Sequence, residues 1–268
     1  MTTEALLIYL MVGCAAGFLA GLLGVGGGLI IVPALIWAFG LLHFAPDHLM
    51  HLALGTSLAS IIFTSISSVR AHHARGAVKW QVVRRMGGGL VLGTFLGAGL
   101  ASQLPSTGLK WFFCIFAYLV AAQMLANFRP KPSRTLPQTG GLLGVGGVIG
   151  AISSFVGIGG GSLSVPFLAW CNVPLPNAIA TSAALGFPIA VGGLAGYLAH
   201  GWHSQGLPPG ALGFVYLPAL AGIVFASMLT APLGATLAHR LPVATLKKCF
   251  ALLLIVVASK MIWNLLAH

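Results

Sequence analysis

Gly24-Val25-Gly26-Gly27-Gly28 returns 133 positions later as Gly157-Ile158-Gly159-Gly160-Gly161, and Val32-Pro33 returns at the same offset as Val165-Pro166. Further landmarks keep the order. Thr56-Ser57 matches Thr181-Ser182, Arg75-Gly76 falls opposite His200-Gly201, and Gly97-Ala98 through Leu104-Pro105 matches Gly234-Ala235 through Leu241-Pro242. Landmarks in one order across a whole chain mark an internal duplication. The chain reads as two homologous halves, 1–128 and 139–268, with 129–138 as the linker around Arg129-Pro-Lys-Pro-Ser-Arg134.

Working outward, each half shows one pattern. An apolar segment (5–23 or 140–156) runs into the glycine cluster, and a shorter one follows (29–42 or 162–171). Three spans come next: 49–69, 86–103 and 109–128 in the first half; 177–199, 212–238 and 244–266 in the second. Hydrophobic residues are 58% of the chain and charged residues only 6%, far below the quarter or so that wets a soluble fold. From Thr135 to His239, 105 residues pass without Asp, Glu, Lys or Arg. One crossing takes roughly 20 residues, so this stretch crosses several times. The predicted fold class is an all-α polytopic membrane protein, each half a glycine-broken helical hairpin plus three transmembrane helices.

The net charge of +11 does not point to nucleic acid, because the basic residues form no tract interleaved with aromatics. They cluster at Arg70/Arg75/Lys79/Arg84/Arg85, at Arg129/Lys131/Arg134 and at Arg240/Lys247/Lys248, as cytoplasmic loops do. All three clusters share one side only if each glycine-interrupted pair is a hairpin emerging where it entered. An odd number of spans then separates equivalent points, so the halves are expected to be inverted repeats, as in secondary transporters. The N-terminus and the 43–48 segment are expected on the extracytoplasmic side.

Glycine in hydrocarbon needs a reason, since unpaired backbone groups there are costly. Four-residue spacing explains Gly13/Gly17/Gly21 and Gly89/Gly93/Gly97 as close helix packing. Three consecutive glycines suit something else: a sharp break followed by a helix start, at Leu29 and at Ser162, whose free N–H groups and positive dipole end favour an anion. Candidate substrate-binding residues are therefore Gly26, Gly27, Gly28, Gly159, Gly160, Gly161 and Ser162. Thr56, Ser57, Thr181 and Ser182 join them, their hydroxyls either donating to the ligand or bonding back to their own helix carbonyls. Arg75 and His200 occupy matching positions and are candidates for gating or coupling, or else mark membrane edges.

Glu4 and Asp47 are the only carboxylates, which disfavours an acidic proton relay or a multivalent-cation site and suits an anionic substrate. His48 and His51 are three apart but have no further ligand, and the four cysteines show no ligand spacing, so no metal and no cofactor is expected. With no HExxH, acid pair or Ser/His/Asp set, an enzyme is not expected.

The duplicated G-x-G-G-G with Val-Pro, Gly24–Pro33 and Gly157–Pro166, together with the paired Thr-Ser, resembles the TauE/SafE sulfite exporter (TSUP) family over nearly the whole chain. The resemblance implies a carrier of sulfur-containing anions or organic acids, such as sulfite, sulfonates or sulfoacetate, in a bacterial inner membrane. It also implies that the two glycine runs and the Thr-Ser pairs form the substrate region. The expected function is alternating-access transport of a small anion. The alternative is an anion channel lined by the two half-helices. Expected partners are the anion and the bilayer, with no nucleic acid. A homodimer, and proton or sodium as coupling ion, stay open.

Overall fold

The computed structural model describes residues 3–23, 27–126, 133–238 and 243–267. Gly26, Arg129, Lys131 and Arg240, singled out above, lie outside the described residues. The first half forms α1 (Thr3–Leu23), α2 (Gly28–Leu41), α3 (Leu49–His73), α4 (Trp80–Ser102) and α5 (Ser106–Leu125). The second forms α6 (Thr139–Val156), α7 (Gly161–Trp170), α8 (Leu175–Gly201), α9 (Leu217–Ala238) and α10 (Val243–Leu266).

Among the described residues, seven helices (α1, α3, α5, α6, α8, α9, α10) are long and apolar enough to cross a bilayer. The 23-residue α4 carries Arg84 and Arg85 near its start, while α2 and α7, with 14 and 10 residues, fall short of a crossing. Rows of exposed Leu92/Leu96/Leu100 on α4 and Phe225/Leu229/Leu233 on α9 face outward at helical spacing. That outward face suits lipid, as hydrocarbon is the one solvent in which it costs nothing. The chain is an all-α multi-pass membrane protein.

Two expected boundaries shift. Helix α4 begins at Trp80 and not near 86, because its first turns carry Gln81, Arg84 and Arg85, which hydropathy leaves out of a span. In place of a helix from 212, a short antiparallel hairpin, β1 (Ala211–Leu212) and β2 (Val215–Tyr216), precedes α9. Gly210 and Gly213 at φ 91° and 54°, after Pro208 and Pro209, turn the chain there before the helix can start.

Packing between the halves is intimate. On α4, Gly89 meets Leu143, Gly93 meets Gly147 and Gly97 meets Ala151 of α6. On α1, Gly13 meets Ile223 and Gly17 meets Ser227 of α9. A Cβ at any of these glycines would overlap the facing backbone, so backbone contact is the reason for glycine there. The pairs ascend together, so α4 runs with α6 and α1 with α9. By contrast Gly55 of α3 meets Tyr197 of α8, Leu58 meets Gly193, and Ser65 meets Gly186. Those numbers run oppositely, so α3 and α8 are antiparallel.

With short connections between α3, α4 and α5, these directions place the ends of α3, α5, α7 and α9 on one face. Asn177 Nδ2 donating to Ala77 O (2.9 Å) and the Ser133 and Arg134 amides donating to Trp170 O (3.3 Å each) join that face. Arg70, Arg75, Lys79, Arg84, Arg85, Arg134 and Lys248 all belong to it, while Glu4 and Asp47 belong to the other. We call it the basic face.

Candidate functional site

Both glycine runs end in the same geometry. Gly27 caps α2 at φ 73°, ψ −14°, and Gly160 caps α7 at φ 75°, ψ −3°, a left-handed conformation that favours glycine. The helices start one residue earlier than the sequence suggests, at Gly28 and Gly161. First-turn bonds run from Ile30 and Ile31 to Gly27 O and from Leu163 and Ser164 to Gly160 O. The amides of Gly28, Leu29, Gly161 and Ser162 therefore have no acceptor within their own helices. Pro33 and Pro166 stand where an N–H would have bonded the Leu29 and Ser162 carbonyls, which keeps each short helix locally open.

The two breaks touch. Gly28 lies against the Gly157 carbonyl and the Ile158 Cα, so closely that any Cβ on Gly28 would overlap them. Gly157, at φ 72° on the end of α6, packs against Val32 of α2 and Leu54 of α3. Gly159 O would lie 3.3 Å from a Cβ on Gly186 of α8. Residues remote in sequence thus converge between α2, α3, α7 and α8.

The four hydroxyls divide their work. Ser57 Oγ donates to Gly157 O at 2.8 Å and ties α3 to the second break. Thr56 Oγ1 accepts the Tyr216 amide at 2.9 Å, and Thr181 Oγ1 accepts the Lys79 amide at 3.0 Å. Tyr216 and Lys79 each stand one residue before a matching helix, α9 or α4, so the same bond recurs with the halves exchanged. Ser182 Oγ, Ser162 Oγ and Ser153 Oγ are buried with no hydrogen-bond partner. Buried hydroxyls normally find one. Ser153, on the last turn of α6, was not evident from sequence, because a serine in an apolar segment carries no signal of its own.

Arg75 and His200 do not meet. Arg75 follows α3 on the basic face, whereas His200 ends α8 on the opposite one, its Nδ1 at 2.8 Å from Gly196 O and its ring against Phe95 and Gly99. Beside the Thr181–Lys79 bond, a pocket of about 230 Å³ opens on the basic face, lined by Lys79, Thr135, Leu136, Cys171 and Asn172. Burial pushes the Cys171 thiol up from its ordinary range, and Arg134 pulls partly against that shift. Among the described residues, no three His, Cys, Asp or Glu side chains gather as a metal-ligand set.

The sequence pattern described as sulfite exporter TauE/SafE matches residues 9–261, almost the full chain. The chain belongs to the TauE/SafE sulfite exporter family. A relative from Haemophilus influenzae, a probable membrane transporter protein, is 40% identical over 96% of this chain and 97% of its own. Another from Xylella fastidiosa (strain Temecula1) is 30% identical over 98% and 97%, and one from Bacillus subtilis, YunE, 26% over 96% and 97%; both are called probable membrane transporter proteins. No solved structure matches the chain significantly. As a TauE/SafE family member in which seven of the described helices are long and apolar enough to cross a bilayer, the protein is a multi-pass membrane transporter and not an enzyme.

Proposed function

We propose that this transporter is a secondary carrier of a small anion, a sulfur-containing oxyanion or organosulfonate such as sulfite or sulfoacetate. It holds the anion where its two glycine breaks meet. The observation that carries the reading is the second break. There the start of α7, which no side chain caps, offers the amides of Gly161 and Ser162, and the unpartnered hydroxyls of Ser162 and Ser182 are buried on α7 and α8. Amides and hydroxyls at a positive helix end are donors without an acceptor, which an oxyanion supplies. The sulfur chemistry of the substrate is inferred from the family.

The halves act as inverted repeats. Antiparallel α3 and α8, and the exchanged Thr56–Tyr216 and Thr181–Lys79 bonds, support a pseudo-twofold axis lying in the membrane plane. Alternating access then consists of the α1/α9 pair rocking against the α4/α6 pair about the central α3/α8 crossing. The dense glycine contacts within each pair suit rigid units. The basic face is cytoplasmic, and the membrane is the bacterial inner membrane.

The test is counterflow in proteoliposomes. Preloaded sulfite or a simple sulfonate accelerates uptake of labelled anion by a carrier. Uptake without saturation or exchange would instead indicate a channel, and no movement of any anion in the panel would remove the anion reading.

A further inference from the structure

On the face opposite the basic one, His51 sits in the first turn of α3 with only 3% of its surface exposed. Its Nε2 lies 3.2 Å from Ala101 O and 3.1 Å from Leu104 O, and its Nδ1 lies 3.4 Å from Ser106 Oγ. Carbonyls only accept, so Nε2 carries a proton. Ser106 Oγ meanwhile donates to Asp47 O at a short 2.6 Å, which commits the serine proton elsewhere. Every group at hydrogen-bond distance from the ring therefore offers lone pairs. A neutral imidazole wants one acceptor and one donor. Here its Nδ1 lone pair faces another lone pair, while a second proton would find Ser106 Oγ waiting.

Further terms set the balance. Ala101 is in the last turn of α4 and Leu104 two residues past its end, where the helix dipole favours a cation. Burial opposes charge. His48, its ring 6.1 Å away, opposes a second charge nearby. The other titratable groups around the ring are Asp47 on the turn before α3 and Lys110 one turn beyond Ser106 on α5. On the second half they are His200, whose ring lies against Gly99 near the end of α4, and Tyr216 and Tyr197, two residues beyond Phe214 and behind it. No ionisable side chain of α4 adjoins its end.

We propose that His51 is the binding site for a coupling proton, its charged form clasping the ends of α3, α4 and α5 and closing this face of the carrier. The proposal rests on the carrier reading above. Its position fits the role, because the ring joins the halves: Phe214, just before α9, packs on it at 5.0 Å and 30°, and on His48 at 5.7 Å. His48 in turn reaches Gln205 O at 3.2 Å, in the same connection between α8 and α9. A second proton adds an Nδ1–H bond to Ser106 and strengthens both carbonyl bonds, since charged donors bind more tightly. Loss of that proton removes the Nδ1–H bond and leaves the start of α5 held by the Ser106–Asp47 bond alone. The offset joining Thr56 to Thr181 sets Pro176 opposite His51, so the clasp has no histidine counterpart on the basic face. Coupling requires that the proton taken up while this face is open leaves after the carrier has opened to the other, so the proton gradient, not the site alone, sets the direction of net transport.

Nitrogen-15 spectra of histidine-labelled full-length protein in nanodiscs test the site, with His51→Gln identifying the signals. The expected result is a ring that gains its second proton between about pH 5 and 8, a transition that Ser106→Ala moves to lower pH. A ring neutral throughout, or one indifferent to Ser106→Ala, overturns the proposal. In proteoliposomes, His51→Gln and Ser106→Ala are expected to flatten or shift the pH profile of sulfite flux while leaving KM within about twofold. An unchanged profile in both variants also overturns it. If the wild type moves no anion, the carrier reading and the coupling role fail together, while the spectra still decide whether the proton site exists.

Discussion

Thr56 on α3 accepts the backbone N–H of Tyr216 at 2.9 Å, holding the entry to α9 in the other half. Thr181 repeats the act on Lys79 before α4 at 3.0 Å. Each bond pins the start of a helix that shares a glycine seam with the opposite half, so the pair ties both seams to α3 and α8. Thr56→Val and Thr181→Val keep the shape and leave a backbone donor unpaired, at a cost of about 1–3 kcal/mol each. Thermal melting in detergent is expected to fall for both valine variants and to recover in Thr56→Ser and Thr181→Ser. Equal melting of valine and serine variants would show that these bonds carry no weight.

The contact between the breaks predicts a steep glycine dependence. Gly28→Ala drives a methyl into the Gly157 carbonyl, and Gly160→Ala strains a left-handed residue by about 1–2 kcal/mol while crowding Ile189. Counterflow is expected to drop at least tenfold in each, with Gly28→Ala also lowering membrane expression. Gly40→Ala, with nothing within 4 Å of its added methyl, is the silent control.

Ser162→Ala and Ser182→Ala separate binding from stability. Removing an unpartnered buried hydroxyl leaves the apo protein as stable or slightly more so. A ligand at a hundred times its Kd stabilises by about 2.7 kcal/mol, so sulfite is expected to raise the wild-type melting temperature. Both variants should lose most of that rise. A full ligand shift in the double variant would place the anion elsewhere.

Cys171 supplies a pH readout on the basic face. Its thiol is buried and shifted upward, so the reactive thiolate is scarce near neutrality and increases as pH rises. In a variant with Cys14, Cys114 and Cys249 changed to Ala, maleimide labelling is expected to be slow near neutrality and to accelerate only at a pH above that at which an ordinary exposed thiol reacts. Arg134→Gln removes the opposing cation and should move the acceleration higher still. Labelling from the cytoplasmic side alone would also test the orientation, with a cysteine at Asp47 labelled from the other.

The duplication is legible because glycine runs, Val-Pro and Thr-Ser pairs are identity signals that no exchange of apolar residues imitates. The helix boundaries followed to within a few residues, except at the start of α4, whose basic first turns hydropathy leaves out, and near 212, where a turn built on Gly210 and Gly213 lies inside an apolar stretch and hydropathy does not register it. The hydroxyl roles were not legible. Nothing local distinguishes Thr56, which accepts a backbone amide, from Ser182, which has no partner.

Local chemistry alone made this a membrane protein, and its repeated motifs predicted two matching halves with an open helix start after each glycine run. Hydropathy, charge spacing and the backbone freedom of glycine act within a few residues and need no folded context. Tertiary packing alone decided that Gly28 meets Gly157, that Gly13 and Gly93 seam one half to the other, and that His51 is ringed by acceptors from α4 and α5. Those contacts join residues 50 to 210 positions apart, and which distant donor reaches which acceptor is set by how helices cross.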